Sequence, residues 1–259
     1  MIFCEVLLLK FKINSMYNYK IVVEYDGTNF VGWQQQKNGQ SIQAALQEAL
    51  VKLSGEKVTI YGAGRTDAGV HAYGQVASFT INKQIETDVI RDGLNQHLRP
   101  QPIAIQKAEL VDHDFHARFS AKKRWYKYEI INRRPPLTID ANRAWCVYKN
   151  LNIQKIKNEL SSFLGKHDFN AFRSSHCQSK TSIKTIDSFD IKNENKKIIF
   201  KISAKSFLHS QVRIMVGTLV DIGKGNIDRS IETIIKLKNR EYAGQTAPAQ
   251  GLYLTNVEY

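Results

Sequence analysis

The sequence predicts an α+β fold made of two successive halves, each an antiparallel sheet with helices packed on one side. Three observations carry this. Apolar residues alternate with a period of two in segments such as YKIVVEY (Tyr19–Tyr25) and WYKYEII (Trp125–Ile131). Helical spacing marks SIQAALQEALVKL (Ser41–Leu53) and a second stretch near Ile153–Leu164. The order of the segments, β-α-β-β-α-β, occurs twice, which is the ferredoxin-like arrangement.

In the first half, the turn DGTNF follows the opening strand. Ser41 supplies a helix cap, while Ile42, Ala45, Leu46, Ala49, Leu50 and Leu53 form one apolar stripe and Gly55 ends it. Strands are expected at VTIYG near Val58 and QVASFT near Gln75, with a glycine-rich loop between them. A helix over about 88–98 and a strand over about 103–111 complete the unit. The second half begins with WYKYEII and has a short accessory strand near 143–147. A helix over 153–164 is stopped by Gly165, and strands near 183–191 and 196–204 flank the turn NEN. A very apolar helix covers 208–222, with Gly223 after it. A further helix near 230–238 precedes a last strand at 252–259. Residues 112–124 form the junction, and no low-complexity linker separates the halves. The division is therefore 16–115 and 116–259, after an N-terminal extension at 1–15 that is expected to be poorly tied down.

The 259 residues suffice for a sizeable core, and 42% hydrophobic with 24% charged residues is ordinary for a globular chain. The 37 Lys and Arg against 24 acids leave a net charge of +13. That excess points to a polyanionic partner, nucleic acid before an anionic membrane. Cys4, Cys146 and Cys177 form no CxxC pair, so neither a disulfide framework nor a cysteine zinc site is indicated, and a cytoplasmic location fits. The opening MIFCEVLLLKFKIN, interrupted by Glu5, is too short to span a membrane and has no secretory cleavage pattern.

The chemistry concentrates in YGAGRTDAGVHA (Tyr61–Ala72). Gly62, Gly64 and Gly69 surround a single carboxylate, Asp67, with Arg65 before it and His71 after it. Small residues let the backbone turn sharply and let a bulky ligand approach. Arg65 is placed to keep Asp67 ionised. The segment reads equally as a tight turn whose Asp bonds its own backbone. Its glycines miss the dinucleotide spacing, no GK[ST] follows, and there is neither a nucleophile elbow nor a zinc-deaminase pattern. An enzyme built on this loop is expected to work without a nucleotide or redox cofactor.

DHDFHARFSAKKRWYKYEI (Asp112–Ile130) is the second dense stretch. Asp112, His113, Asp114 and His116 can be drawn as metal ligands, but alternation favours structure or RNA contact, and no metal site is assigned. Lys122, Lys123 and Arg124 with Trp125 and Tyr126 combine phosphate-binding charge with stacking surface. Tyr128 reads as core, whereas Tyr126, nearer the basic run, reads as a ligand contact. Arg213 stands alone in an otherwise apolar helix and needs an anion, for which Asp67 or an RNA phosphate is the candidate.

EYDGTNFVGWQQQ (24–36), GAGRTDAGVHA (62–72), FHARFSAKKRWYKY (115–128), CQSKT (177–181), SFLHSQVRIMVGTL (206–219) and APAQGLYL (247–254) follow one another in a familiar order. With these motifs the chain, from Tyr19 to Tyr259, resembles the tRNA pseudouridine synthase A family. The resemblance implies the pseudouridine synthase fold, with a central active-site cleft between the halves. It implies that Asp67 is catalytic, that Tyr126 contacts substrate, and that Arg65 and Arg213 support the aspartate. It further implies isomerisation of uridine in the anticodon arm of tRNA, at positions 38, 39 and 40, by a homodimer with no cofactor. Lys180 in CQSKT and the segment HLRPQPIAI (97–105) depart from the usual pattern. The alternatives are a non-catalytic protein of two RNA-binding units and a metal-dependent nuclease built on His113 and His116.

Overall fold

Alternation in the first strand becomes a buried face. In β1 (Tyr17–Tyr25), Tyr19, Ile21, Val23 and Tyr25 are all buried. The computed structural model describes residues 16–259, so the extension expected at 1–15 lies outside the described residues. Helix α1 (Ile42–Ser54) starts where Ser41 Oγ accepts the Ala44 N–H at 3.2 Å. It ends at Gly55, whose φ of 77° is the left-handed cap that glycine adopts without strain. After it come β2 (Tyr61–Gly62), β3 (His71–Ile81), α2 (Thr87–Leu98) and β4 (Ile103–Val111). The strand expected around Val58 is reduced to two paired residues. Val58 and Ile60 are buried, but residues 57–60 join no ladder.

The rest of the chain forms β5 (Lys123–Asn132), β6 (Trp145–Val147), α3 (Ile153–Leu160), β7 (Gly165–Asp168), β8 (Ile183–Glu194), β9 (Lys197–Ala204), α4 (Gln211–Lys224), α5 (Ile231–Leu237) and β10 (Leu252–Glu258). The expected helix at 153–164 is shorter, because Ser161–Phe163 tighten into a 3-10 turn. Strand β7 was not anticipated. Helix α4 starts and stops later than expected. It runs through Gly223, where a Cβ would lie 2.7 Å from Ile156 Cδ1 of α3, and it is capped by Gly225 at a φ of 73°. Gly223 is there for close helix packing, not for termination.

The described strands form a single ten-stranded sheet, not two separate ones. Its order is β4-β1-β3-β10-β5-β9-β8-β7, with β2 on β3 and β6 on β5. The pairing is mostly antiparallel, and the five α-helices among the described residues give a mixed α+β architecture. The physical reason for the join lies in the length of β2. It covers only Ser78 and Ala77 of β3 and leaves the His71 end with free backbone groups. Strand β10, paired antiparallel with β5 on one edge, meets that end in parallel through Tyr253 with His71 and Leu254 with Ala72. Gly74 completes the seam, since a Cβ there would come within 2.7 Å of Thr255 O.

Leu254 is fully buried at this seam. Leu254→Ala is expected to cost about 2–5 kcal/mol of stability, read as a lower urea midpoint at unchanged slope. An unchanged midpoint would show that the seam contributes nothing to the core.

Candidate active site

The glycine-rich loop, residues 63–70, is held from several sides. Gly62 lies against the Trp33 indole, where a Cβ would be 2.4 Å from the ring. The Ala63 N–H donates to Val76 O at 2.7 Å, and the Gln75 side chain donates to Gly64 O at 2.8 Å. Trp33 N–H donates to Thr66 O at 3.1 Å, while the Thr66 and Tyr25 hydroxyls are 2.8 Å apart. Gly69 sits at a φ of 76°, a conformation costly for other residues. His71 is buried beneath this loop. Burial pushes its imidazole below the usual pKa, against the pull of Asp26, and Nδ1 accepts the Gly27 N–H.

So anchored, the loop aims Asp67 away from itself. The carboxylate bonds to the start of α4 and not to its own turn. Arg213 Nη1 donates to Oδ2 at 2.7 Å and the Ser210 hydroxyl donates to the same oxygen at 3.0 Å. His209 Nε2 is 3.2 Å from Oδ1. The Asp67 and Arg213 side chains are 21% and 17% exposed, so the pair is reachable from solvent and only partly desolvated. Arg213 is thus less deeply buried than its apolar helix predicts. Its Nε donates to Ala247 O at 2.8 Å, which fixes the guanidinium plane.

Ser210 occupies the N-cap of α4 with a φ of 58° and makes no side-chain cap bond. A serine there would ordinarily accept a helix N–H, but its hydroxyl is directed to Asp67. The left-handed backbone costs about 1 kcal/mol or more.

Tyr126 lies on the same face of β5 as Arg124 and Tyr128. It is buried, edge-on to Phe207 with ring centroids 5.3 Å apart. Burial raises its pKa to about 12; Arg124 opposes the rise and the charge on Asp67 adds to it. Near neutral pH it is a phenol. Tyr128 is core, as expected, and its hydroxyl donates to Pro248 O at 2.7 Å.

Two sequence expectations are corrected. Arg65 does not pair with Asp67. Among the described residues, the ion pairs of Asp67 are with Arg213 and His209. Arg65 is exposed and donates instead to Gln178 Oε1 at 3.2 Å, a residue 113 positions away in the chain. Arg124 is not a phosphate ligand in waiting. It is buried and donates to the Ala63, Arg118 and Lys205 carbonyls, because strand alternation turns it inward. Among the described residues, no group of three His, Cys, Asp or Glu is placed to hold a metal ion. His209, Ser210 and Gln178 were missed as site residues. Neither periodicity nor charge distinguishes them, and only their place in SFLHSQVRIMVGTL and CQSKT gave a signal.

A partly buried carboxylate held by an arginine and a hydroxyl, in a strongly basic chain, defines a candidate enzyme site facing a polyanion. A family model described as tRNA pseudouridine synthase matches residues 21–120 and 160–259. A protein of Ehrlichia chaffeensis named tRNA pseudouridine synthase A is 54% identical over 93% of this chain and 99% of its own length. Proteins of the same name from Wolbachia pipientis and Afipia carboxidovorans are 49% and 46% identical, over 93% and 94% of this chain and 99% and 100% of their own. The chain belongs to the tRNA pseudouridine synthase A family, a family of isomerases.

Removing the Arg124 guanidinium strands three carbonyls. Arg124→Met is expected to lower stability by about 2 kcal/mol or more in urea unfolding, against less than about 0.5 for exposed Lys122→Met. Equal effects would contradict the structural assignment of Arg124.

Proposed function

We propose that this chain isomerises uridine to pseudouridine in tRNA, with Asp67 as the essential group and no cofactor. The observation that carries the reading is the Asp67 carboxylate, held on Oδ2 by Arg213 and Ser210, with His209 beside Oδ1 and the side chain still 21% exposed. Fixing Oδ2 with two donors orients the carboxylate before substrate arrives, so little reorganisation is needed during reaction.

The reaction breaks the N1–C1′ glycosidic bond and makes a C5–C1′ bond, while the proton on C5 is lost and N1 gains one. Atoms and charge balance without an oxidant or a second substrate. To be reached, the uridine leaves its stack. Arg65, exposed and hydrogen-bonded to Gln178, then fills the vacated space. Asp67 either attacks the nucleoside or removes a sugar proton, and both routes need it ionised and oriented. His209, beside Oδ1, positions that reacting oxygen. The Tyr126 phenol, backed by Phe207, stacks on the detached uracil and keeps it in place while it turns.

The finer assignments complete the reading. The substrate region is the anticodon arm at positions 38, 39 and 40, the acting form is a homodimer, and the location is the cytoplasm. The fold is read as two β-α-β-β-α-β halves, 16–115 and 116–259, flanking the cleft. The resemblance and the positive charge support these assignments. The spatial strand orders β4-β1-β3-β2 and β10-β5-β9-β8 support the repeat.

With uridine-labelled tRNA carrying tritium at uracil C5, the wild type is expected to release tritium as pseudouridine forms. Asp67→Ala is expected to lower that rate by at least about 10³-fold while still binding tRNA. Full activity in Asp67→Ala would overturn the proposal, and so would pseudouridine confined to the T-arm for the anticodon-arm assignment.

A further inference from the structure

Tyr61, His116 and Phe119 form a feature that the isomerisation does not use. The three rings stand in series, with centroids 4.8 Å apart from Tyr61 to His116 and 4.5 Å from His116 to Phe119. Phe119 is 76% exposed and Tyr61 49%. Among the described residues, no other phenylalanine is exposed. The Arg118 guanidinium lies 5.6 Å from the Phe119 ring centre.

The ladder is rigid. Arg118 N–H donates to His116 Nδ1 at 3.1 Å, which fixes the imidazole. Ser120 N–H donates to His116 O, and Ser120 Oγ accepts the His116 N–H, so the turn is locked on itself. Ala117 N–H donates to Ser78 Oγ, and Ser78 is the register partner of Tyr61. The turn and Tyr61 are therefore clamped to the same strand. Arg124 bonds both Arg118 O and Ala63 O, so the ladder and the Asp67 loop share an anchor.

We propose that this ladder is a stacking site for an unpaired base of the RNA substrate, with the base on the outer face of Phe119 and its phosphate at Arg118. The proposal rests on the reading of the chain as an RNA-acting enzyme. An aromatic face accepts any base, and a guanidinium beside it supplies the charge a phosphate needs. A protein partner would want a contiguous apolar patch. Here the exposed ring is flanked by Arg118 and Ser120 and followed by exposed Lys122, which complements a nucleotide better.

The test is binding of unmodified tRNA to the full-length protein at fixed salt. Phe119→Ala is expected to raise Kd about tenfold, as loss of one base–aromatic stack does, with an unchanged urea midpoint. Phe119→Leu, apolar but without a π face, is expected to be equally weak. Phe119→Trp is expected to recover affinity and to show emission quenched by tRNA beyond that of the wild type. Arg118→Gln should reduce the salt slope by about one. Wild-type Kd in both Phe119→Ala and Phe119→Leu would overturn the proposal. It would also be overturned if those variants bound tRNA normally and instead dissociated a dimer in sedimentation, making the ladder a contact between copies. Tritium release by the wild type is measured in parallel. If the wild type released none while Phe119→Ala still lost affinity, the proposed function would fall and the stacking site would stand.

Discussion

The bond between Asp67 and Arg213 crosses 146 positions of chain and ties the glycine-rich loop to α4. A partly desolvated ion pair gains most when further hydrogen bonds hold its geometry. Here Arg213 Nε also reaches Ala247 O, and the Ser210 hydroxyl takes a share of Oδ2. The geometry in turn depends on the sheet. Because β2 stops after two residues, β10 can join β3 at His71 and Ala72, directly beyond the loop that carries Asp67. Gly74 and Gly62 let Thr255 and Trp33 approach the same region.

Local stability is spent at the start of α4. Ser210 stands at an N-cap with a left-handed backbone and leaves the helix N–H groups without its hydroxyl. Strain and a forgone cap are reasonable where they place a donor on a carboxylate. The N-terminal end of a 14-residue helix also carries partial positive charge, which favours an anion there. Three groups from one helix start, His209, Ser210 and Arg213, therefore surround both oxygens of Asp67.

Much of the fold was legible because its signals are local. Ser41 and Gly55 bracket α1 with a cap and a left-handed stop, and β1 and β5 carry their alternation in plain view. What was not legible depends on neighbours distant in sequence. Gly223 looks like a helix terminator until Ile156 is seen against it. The apolar residues Val58 and Ile60 read as a strand, yet they are buried without a ladder. The union of two sheets into one follows from an unfilled edge, which no single segment announces. At the site, Asp67 and Arg213 stood out as charges in small or apolar surroundings, whereas Arg124 misled because a basic run does not reveal which member turns inward. His209 and Ser210 carry no pattern of their own; they matter because α4 begins where Asp67 arrives.

The central claim is that Asp67 and Arg213, distant in sequence, act as one unit. A double-mutant cycle on unfolding free energy, with Asp67→Asn, Arg213→Gln and both together, tests it directly. The account predicts a coupling energy of about 1–3 kcal/mol, whatever the sign of each single change. Additivity within about 0.5 kcal/mol would contradict it.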